Sequence, residues 1–315
     1  MKKVMLIFLL FLQSVFFTQD TIAGAYHVSS GNPDDGGYNW VLLNDHRFAM
    51  FTFGQVIAGK WSADSNHIIH FTPAIPQYPF EVYGRYNADE KGTKVMFQNF
   101  DINEDAFFGN SVDGLQPVFV ENANCLPYPL VNSFHSKFKD LVFANFSYQA
   151  EKETAFVTGT YKFNDFIIMY HSSRVRIAPF QATLKNGRLT FRDSSKASSE
   201  RKDIEKNELK EIEKYLPKEN APTRESLVVN KAYNIVSYGI YDNGEEFDEQ
   251  AFLSGNYTFD SSNEIYKAKE KYTVQKGDEY HDYNILYKYH KVEIKPTATT
   301  YKKSPKGIFN ITCKD

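Results

Sequence analysis

The stretch GGYNWVLLNDHRFAMFTFGQVIAGKWS, residues 36–62, constrains the fold of this chain most. Bulky residues alternate with small or polar ones, and Asn44-Asp45 interrupts the alternation with turn chemistry. Successive side chains of a strand point to opposite faces, so a period of two builds a sheet with one greasy side. Trp40 and Leu42 fall on one face and Val41 on the other; after the turn, Phe48 and Met50 alternate with Phe51 and Phe53. Residues 56–61 and 67–71 extend the pattern to a third and a fourth strand. Short strands joined by tight polar turns predict an antiparallel meander. Composition extends this reading to the whole chain. The 27 Phe and 21 Tyr outnumber five Met and two Trp, and aromatic rings suit a pleated, half-buried surface. The predicted class is all-β, with antiparallel meander, sandwich or barrel-like sheets.

Beyond residue 73 the prolines of TPAIPQYPF mark an edge or crossover, because proline cannot donate to a central ladder. Strands are predicted at 81–86, 94–99, 142–149, 155–163 and 165–171, around an irregular region at 101–140. FQATLKNGRLTF reads as a hairpin on a two-residue turn, since Asn186-Gly187 tolerates the positive φ that a type I′ turn needs. That register sets Leu184 against Leu189, Ala182 against Phe191 and Thr183 against Thr190. Residues 196–220 change character: acidic and basic residues balance, and Ile204, Leu209, Ile212, Tyr215 and Leu216 form one apolar stripe. This predicts an amphipathic helix that packs as a connector and stops at Pro217. From 227 onward the chain reads as strands again, including AFLSGNYTF and DYNILYKYHKVEIK, with a bulge or bend near His290 where the apolar parity changes. The expected organisation is a leader at 1–25, an N-terminal β domain at 26–195, a charged helical linker at 196–226 and a C-terminal β domain at 227–315.

The leader is read from Lys2-Lys3, the apolar run Val4 to Phe17 and the small-residue site Ala23-Gly24-Ala25. The run falls short of the roughly 20 residues that span a bilayer. The expected destination is therefore the periplasm or the exterior, with no transmembrane span in the mature chain. A net charge of −3 offers no general attraction to nucleic acid. Cys125 and Cys313, the two cysteines, are candidates for a disulfide in an oxidising compartment.

Local catalytic motifs are sparse. Asp101, Asn103 and Asp105 offer alternate oxygen ligands suited to Ca²⁺, but Ala106 and Val112 stand where an EF-hand loop wants Gly and Glu. No other cofactor is indicated. His67 and His70 lie three apart and on opposite faces of a strand, so they cannot share a metal. Cys125 with His135, and Asp282 with His281 or His290, are the pairs from which a dispersed hydrolase site could be assembled. Tyr78, Tyr83, Tyr86, Tyr280 and Tyr283 sit beside Pro, Gly or charged residues, which makes them candidates for exposed rings that stack on a ligand.

The segment YNWVLLNDHRFAMFTFGQVIAGKWS…IIHFTP resembles the opening meander of uncharacterised exported bacterial β-proteins: apolar strand, Asp-containing turn, aromatic strand, Gly-x-Trp, apolar strand. The resemblance covers residues 36–73 and implies a β fold and export, with no activity attached. Lipocalins also carry a Gly-x-Trp, but on their first strand, whereas Gly59 and Trp61 come on the third. The functional expectation is an exported non-catalytic binding or envelope-associated protein. Its partner would be a small molecule, a glycan or an envelope protein. The alternatives are a lipocalin-like carrier of a small apolar molecule and a hydrolase with a dispersed site.

Overall fold

A computed structural model describes residues 22–30, 36–52, 55–74, 76, 78–102, 106–145, 154–160, 162–171, 177–192, 197–213, 216, 224–239 and 247–310. The chain is all-β, as its alternation predicts, and divides into two compact units. The first comprises residues 1–75 and 175–221, the second 76–174 and 222–315.

The first unit is a nearly closed barrel. Its strands are β1 (Gly24–Val28), β2 (Tyr38–Leu42), β3 (Arg47–Thr52), β4 (Gln55–Ala63) and β5 (Ile68–Pro73), joined by the hairpin β14 (Phe180–Lys185) and β15 (Arg188–Phe191). They form one antiparallel sheet in the order β1-β2-β3-β4-β5-β14-β15. Residues 197–202 close it. On one side Ser198 N donates to Leu189 O at 2.7 Å; on the other Ser199 N donates to His27 O at 2.7 Å and Lys202 N to Ala25 O at 2.9 Å. The sequence assigned these residues to a helical linker, and the structure corrects that. The unsatisfied edges of β1 and β15 recruit them as an irregular eighth strand, because full closure is what removes sheet edges.

Parity decides what lies inside. Tyr26, Trp40, Leu42, Phe48, Met50, Ile57, Trp61, Ile69, Phe71, Ala182 and Leu189 form a single core cluster, all on the inward positions of their strands. The hairpin register is as predicted, Leu184 opposite Leu189 and Ala182 opposite Phe191, with Asn186 and Gly187 at φ 51° and 68°. Helix α1 (Lys206–Glu213) follows the closing segment. Its Leu209 and Ile212, with Ile204 and Leu216, pack on the outward-facing Val41, Leu43 and Ala49. The apolar stripe therefore docks onto the barrel wall; Tyr215 lies outside the described residues.

The Gly-x-Trp of the opening stretch has a packing explanation. Gly59 pairs with Pro73, and a Cβ there would run into the Thr72 carbonyl oxygen. Only glycine lets β4 and β5 approach this closely. Trp61 is buried in the core, and its Nε1–H donates to Leu43 O at 3.0 Å, so the indole fills the barrel without leaving a polar atom unpaired. Burying a ring of this kind contributes on the order of 2–3 kcal/mol.

The second unit is a two-sheet sandwich. Its strands are β6 (Phe80–Arg85), β7 (Thr93–Gln98), β8 (Ala106–Gly109), β9 (Gln116–Pro117), β10 (Val131–Phe134), β11 (Asp140–Asn145), β12 (Thr154–Gly159), β13 (Asp165–Tyr170), β16 (Ser226–Asn230), β17 (Tyr257–Asp260), β18 (Ile265–Ala268), β19 (Ile285–Val292) and β20 (Lys295–Ala298). One sheet runs β10-β7-β13-β6-β19-β18-β17 with β16 paired to β19, the other β20-β12-β11-β8-β9. Phe80, Val82, Phe97, Phe166 and Ile168 of the first pack against Phe108, Leu141, Phe143 and Phe156 of the second.

Pairing across long sequence separations rules out an independent C-terminal domain at 227–315. β19 lies beside β6, with Val292 opposite Val82, and β20 lies beside β12. The boundaries expected at 195 and 227 thus give way to a sandwich built from both ends of its sequence, with part of the barrel between them. Two further readings are corrected. AFLSGNYTF is mostly helix α2 (Glu249–Asn256), capped by the Asp248 side chain accepting from Ala251 N. β19 keeps an unbroken register with β16 from Ser226–His290 to Asn230–Leu286, so no bulge occurs near His290. The parity change arises because this strand is covered on both faces: Leu286 and Val292 are buried on one side and Tyr289 on the other. At the N-terminus, Gly24 and Ala25, counted with the leader by the sequence, begin β1, and Ile22 and Ala23 are buried in the barrel core. No helix among the described residues is long and apolar enough to cross a membrane.

Candidate ligand-binding site

The barrel is solid in the middle and hollow toward its ends. Leu42, Phe48, Ile69, Phe71 and Leu189 are fully buried and plug its waist. At the end reached by the β3–β4 turn, the end of β5, the start of β14 and the end of β15 lies a cavity of about 660 Å³. Trp40, Met50, Ile57, Phe71, Phe180 and Phe191 line it from inward positions, and Ile177 and Pro179 border it from the segment leading into β14. Four rings meet there. Trp40 stacks on Phe191 at 4.5 Å between centroids and touches Phe180 edge-on at 5.6 Å; Phe71 lies parallel to Phe180 at 5.0 Å. Phe180, Phe191 and Ile177 are only half-buried, so their apolar faces are available within the cup.

His70, Thr72, Gln181 and Arg192 complete the lining. On the alternation of β5 and β14, His70, Thr72 and Gln181 belong to the outer face, so they bound the rim and not the floor. Gln181 Nε2 donates to His70 Nδ1 at 3.1 Å, and His70 Nε2 lies 3.3 Å from Asp64 Oδ2. Asp64 also accepts from the amides of Ile68 at 3.0 Å and Asn66 at 2.8 Å. Those bonds, that from Ile68 foremost, hold its carboxyl below the usual aspartate value. The chain Gln181–His70–Asp64 links β14 to β5 and to the turn before it, and holds the His70 ring in place at the rim. Arg192 directly follows β15 and is exposed. Such a lining, mostly apolar and aromatic with few polar groups at the opening, is the make-up of a small-molecule pocket.

The opposite end of the barrel holds a second hollow of about 480 Å³, bounded by Leu42, Asp45, Arg47, Arg201, Asp203 and α1. Its arginines are already occupied. Arg47 Nη2 lies 2.6 Å from Asp45 Oδ2, and Arg201 Nη2 lies 2.7 Å from Asp203 Oδ1.

The tyrosines singled out by the sequence all lie in the sandwich and do not form one site. Tyr83 is buried, with its hydroxyl donating to Arg224 O at 3.2 Å, so it is a core residue. Tyr78 is half-buried against Phe156. Tyr283 packs beneath Tyr257 and Leu286, and its hydroxyl accepts from Asn234 Nδ2 at 2.7 Å. Tyr86 is 58% exposed. Tyr280 pairs with the exposed Tyr128, centroids 5.6 Å apart and hydroxyls 3.3 Å apart. Of the calcium candidates, Asp101 is half-buried, while Asn103 and Asp105 lie outside the described residues. No metal-ligating cluster occurs among the described residues.

The hydrolase pairs are not assembled. Cys125 is in a disulfide, which leaves no thiol for His135; Cys313 lies outside the described residues. His281 Nδ1 pairs with Asp278 at 2.6 Å and His290 Nε2 with Glu264 at 2.7 Å, while Asp282 accepts from Asn284. The sandwich does contain one buried polar network that the sequence did not reveal. Asp165, inaccessible to solvent, accepts from Tyr233 Oη at 2.7 Å and Asn87 Nδ2 at 3.0 Å and pairs with Arg85 Nη2 at 2.7 Å. Burial drives the Tyr233 and Tyr289 hydroxyls far above the usual tyrosine range. The network ties β6 to β13, with the Asp165 carboxylate sealed and Arg85 and Asn87 partly exposed at its edge.

Comparison with protein-family models, curated proteins and solved structures found no match.

Proposed function

We propose that this is an exported protein that binds a small, largely apolar molecule in the open end of its barrel. The observation that carries the reading is the cup itself: a filled waist beneath about 660 Å³ of space walled by four aromatic rings, of which Phe180 and Phe191 are only half-buried. An eight-stranded barrel is just wide enough either to fill itself with side chains or to hold one small ligand. Here the two conditions occupy different depths of the same barrel. A fully self-packed barrel would bury Phe180 and Phe191 as deeply as Phe48. The disulfide at Cys125 supports an oxidising destination, and removal of a leader before Gly24 would leave β1 whole. The reading is lipocalin-like in mode of binding and non-catalytic; Cys125 is in a disulfide, and His281 and His290 pair with Asp278 and Glu264.

Titration with N-phenyl-1-naphthylamine, an uncharged fluorophore that brightens in apolar surroundings, tests it. Saturable one-to-one binding is expected. Phe180→Ala removes one stacking wall, worth about 1–2 kcal/mol, and should weaken binding roughly tenfold with the circular dichroism unchanged. Absence of saturable binding, or an unaffected Phe180→Ala variant, would refute the reading.

A further inference from the structure

The barrel's arginines divide by their partners. Four are described: Arg47, Arg188, Arg192 and Arg201. Arg47 pairs with Asp45, Arg188 with Glu200 at 2.8 Å and Arg201 with Asp203. Arg192 alone has no ion pair or hydrogen bond among the described residues, and it is the one that lines the cup. The other polar side chains described at the rim are Thr72, Gln181 and His70, and His70 is already engaged by Gln181 and Asp64. The site therefore combines apolar aromatic walls with a permanently charged guanidinium at the opening that has no ion-pair partner among the described residues.

We infer that the ligand is an anionic amphiphile, an apolar chain or ring system ending in a single acidic group, with Arg192 receiving that group at the rim. This rests on the binding reading above and adds the ligand's charge to it. A guanidinium presents paired donors in a planar fork that matches a carboxylate or phosphate. It stays protonated at any physiological pH, so the preference for an anion persists where a histidine-based one would fade. An apolar tail in the cup leaves the head at the opening, where solvent still reaches it and the cost of burying its charge is avoided.

Isothermal titration of the full-length protein with decanoate and decanol, which share a chain and differ in the head, separates the two claims. Decanoate should bind about tenfold more tightly, the effect of one charge-assisted contact. Arg192→Gln should abolish that preference by weakening decanoate alone, and Arg192→Lys should keep part of it. Because Arg192 is exposed and outside the core, both variants should fold. Equal affinity for the two compounds would overturn the anionic inference and leave apolar binding standing. Binding of neither would overturn both. A preference that survives Arg192→Gln would remove Arg192 from the account.

Discussion

The barrel and the sandwich are made from the same residue vocabulary and spend it differently. In the barrel, the inward rings of β2, β3, β5 and the β14–β15 hairpin fill the waist and thin out toward one end, where Phe180 and Phe191 keep a face uncovered. In the sandwich, Phe80, Phe97, Phe108, Phe143 and Phe166 are all nearly inaccessible, and rings meet rings from sheet to sheet. Two sheets can slide together until their faces interlock. A closed barrel has a circumference fixed by its strand count and tilt, so its ends stay open unless something caps them. Polar groups follow the same division. The sandwich sinks an ionic network around an inaccessible Asp165 carboxylate, whereas the barrel keeps its charges at the surface and leaves Arg192 beside the cup without an ion pair among the described residues. A fold that seals itself has a place for internal polar ties; a fold with a mouth has a place for a ligand.

That contrast can be broken in three ways. The largest effect belongs to Asp165→Ala in the sandwich. It leaves the largely covered Arg85 guanidinium and the buried Tyr233 hydroxyl without their partner, and removing one member of a buried pair costs about 3–5 kcal/mol. Urea unfolding followed by circular dichroism should show the loss; a change below about 1 kcal/mol would mean that water reaches the network. Next comes a matched pair in the barrel. Phe48→Ala at the solid waist should cost about 3–4 kcal/mol through the cavity it opens, and Phe180→Ala at the rim less than about 2 kcal/mol, because solvent or ligand already replaces part of its packing. Equal losses would show that the end of the barrel is as tightly packed as its middle.

The smallest effect concerns acid. Glu81 on β6 accepts from His171 Nε2 at 3.2 Å and Lys291 Nζ at 2.9 Å. These partners, the His171 bond first, hold its carboxyl at about 2, against a usual 4.5. Its folded value is depressed, so the stabilisation is complete above pH 4.5 and disappears as pH falls through about 2. Glu81→Gln should destabilise the sandwich at pH 7 by about 1–2 kcal/mol, after allowance for solvent screening at a partly exposed site. The difference from the parent should vanish near pH 2. A difference that stays constant with pH would assign the loss to packing.

Much of the barrel was legible because its signals are local. The alternation of Trp40, Leu42, Phe48 and Met50 placed them on one face, and Asn186-Gly187 fixed a hairpin register that the structure reproduces pair by pair. The stripe of Ile204, Leu209 and Ile212 predicted a docked helix. The cup was not legible. Phe180 and Phe191 could be assigned to a greasy face, but whether that face met a neighbour or a space depended on closure by residues 197–202, whose charges had suggested helix. Burial of the candidate tyrosines was legible only in part, because neighbours in sequence do not report it: Tyr86 is exposed as expected, and Tyr83 is not. Tyr83, flanked by Val82 and Gly84, is sealed under β16 and the 233–235 segment.

The amino-acid order alone determined which side of each strand would be greasy, where the tight turns fall and that the product would be β-rich. Those properties follow from the two-residue repeat of an extended backbone and the φ preferences of individual residues. Only the tertiary structure decided that β19 lies beside β6, that a charged segment completes a barrel, and that Asp165 is sealed while Arg192 stands at an opening. Such partnerships join residues far apart in the chain, and they are selected by the free energy of covering whole faces and edges at once, which no window of neighbouring residues encodes.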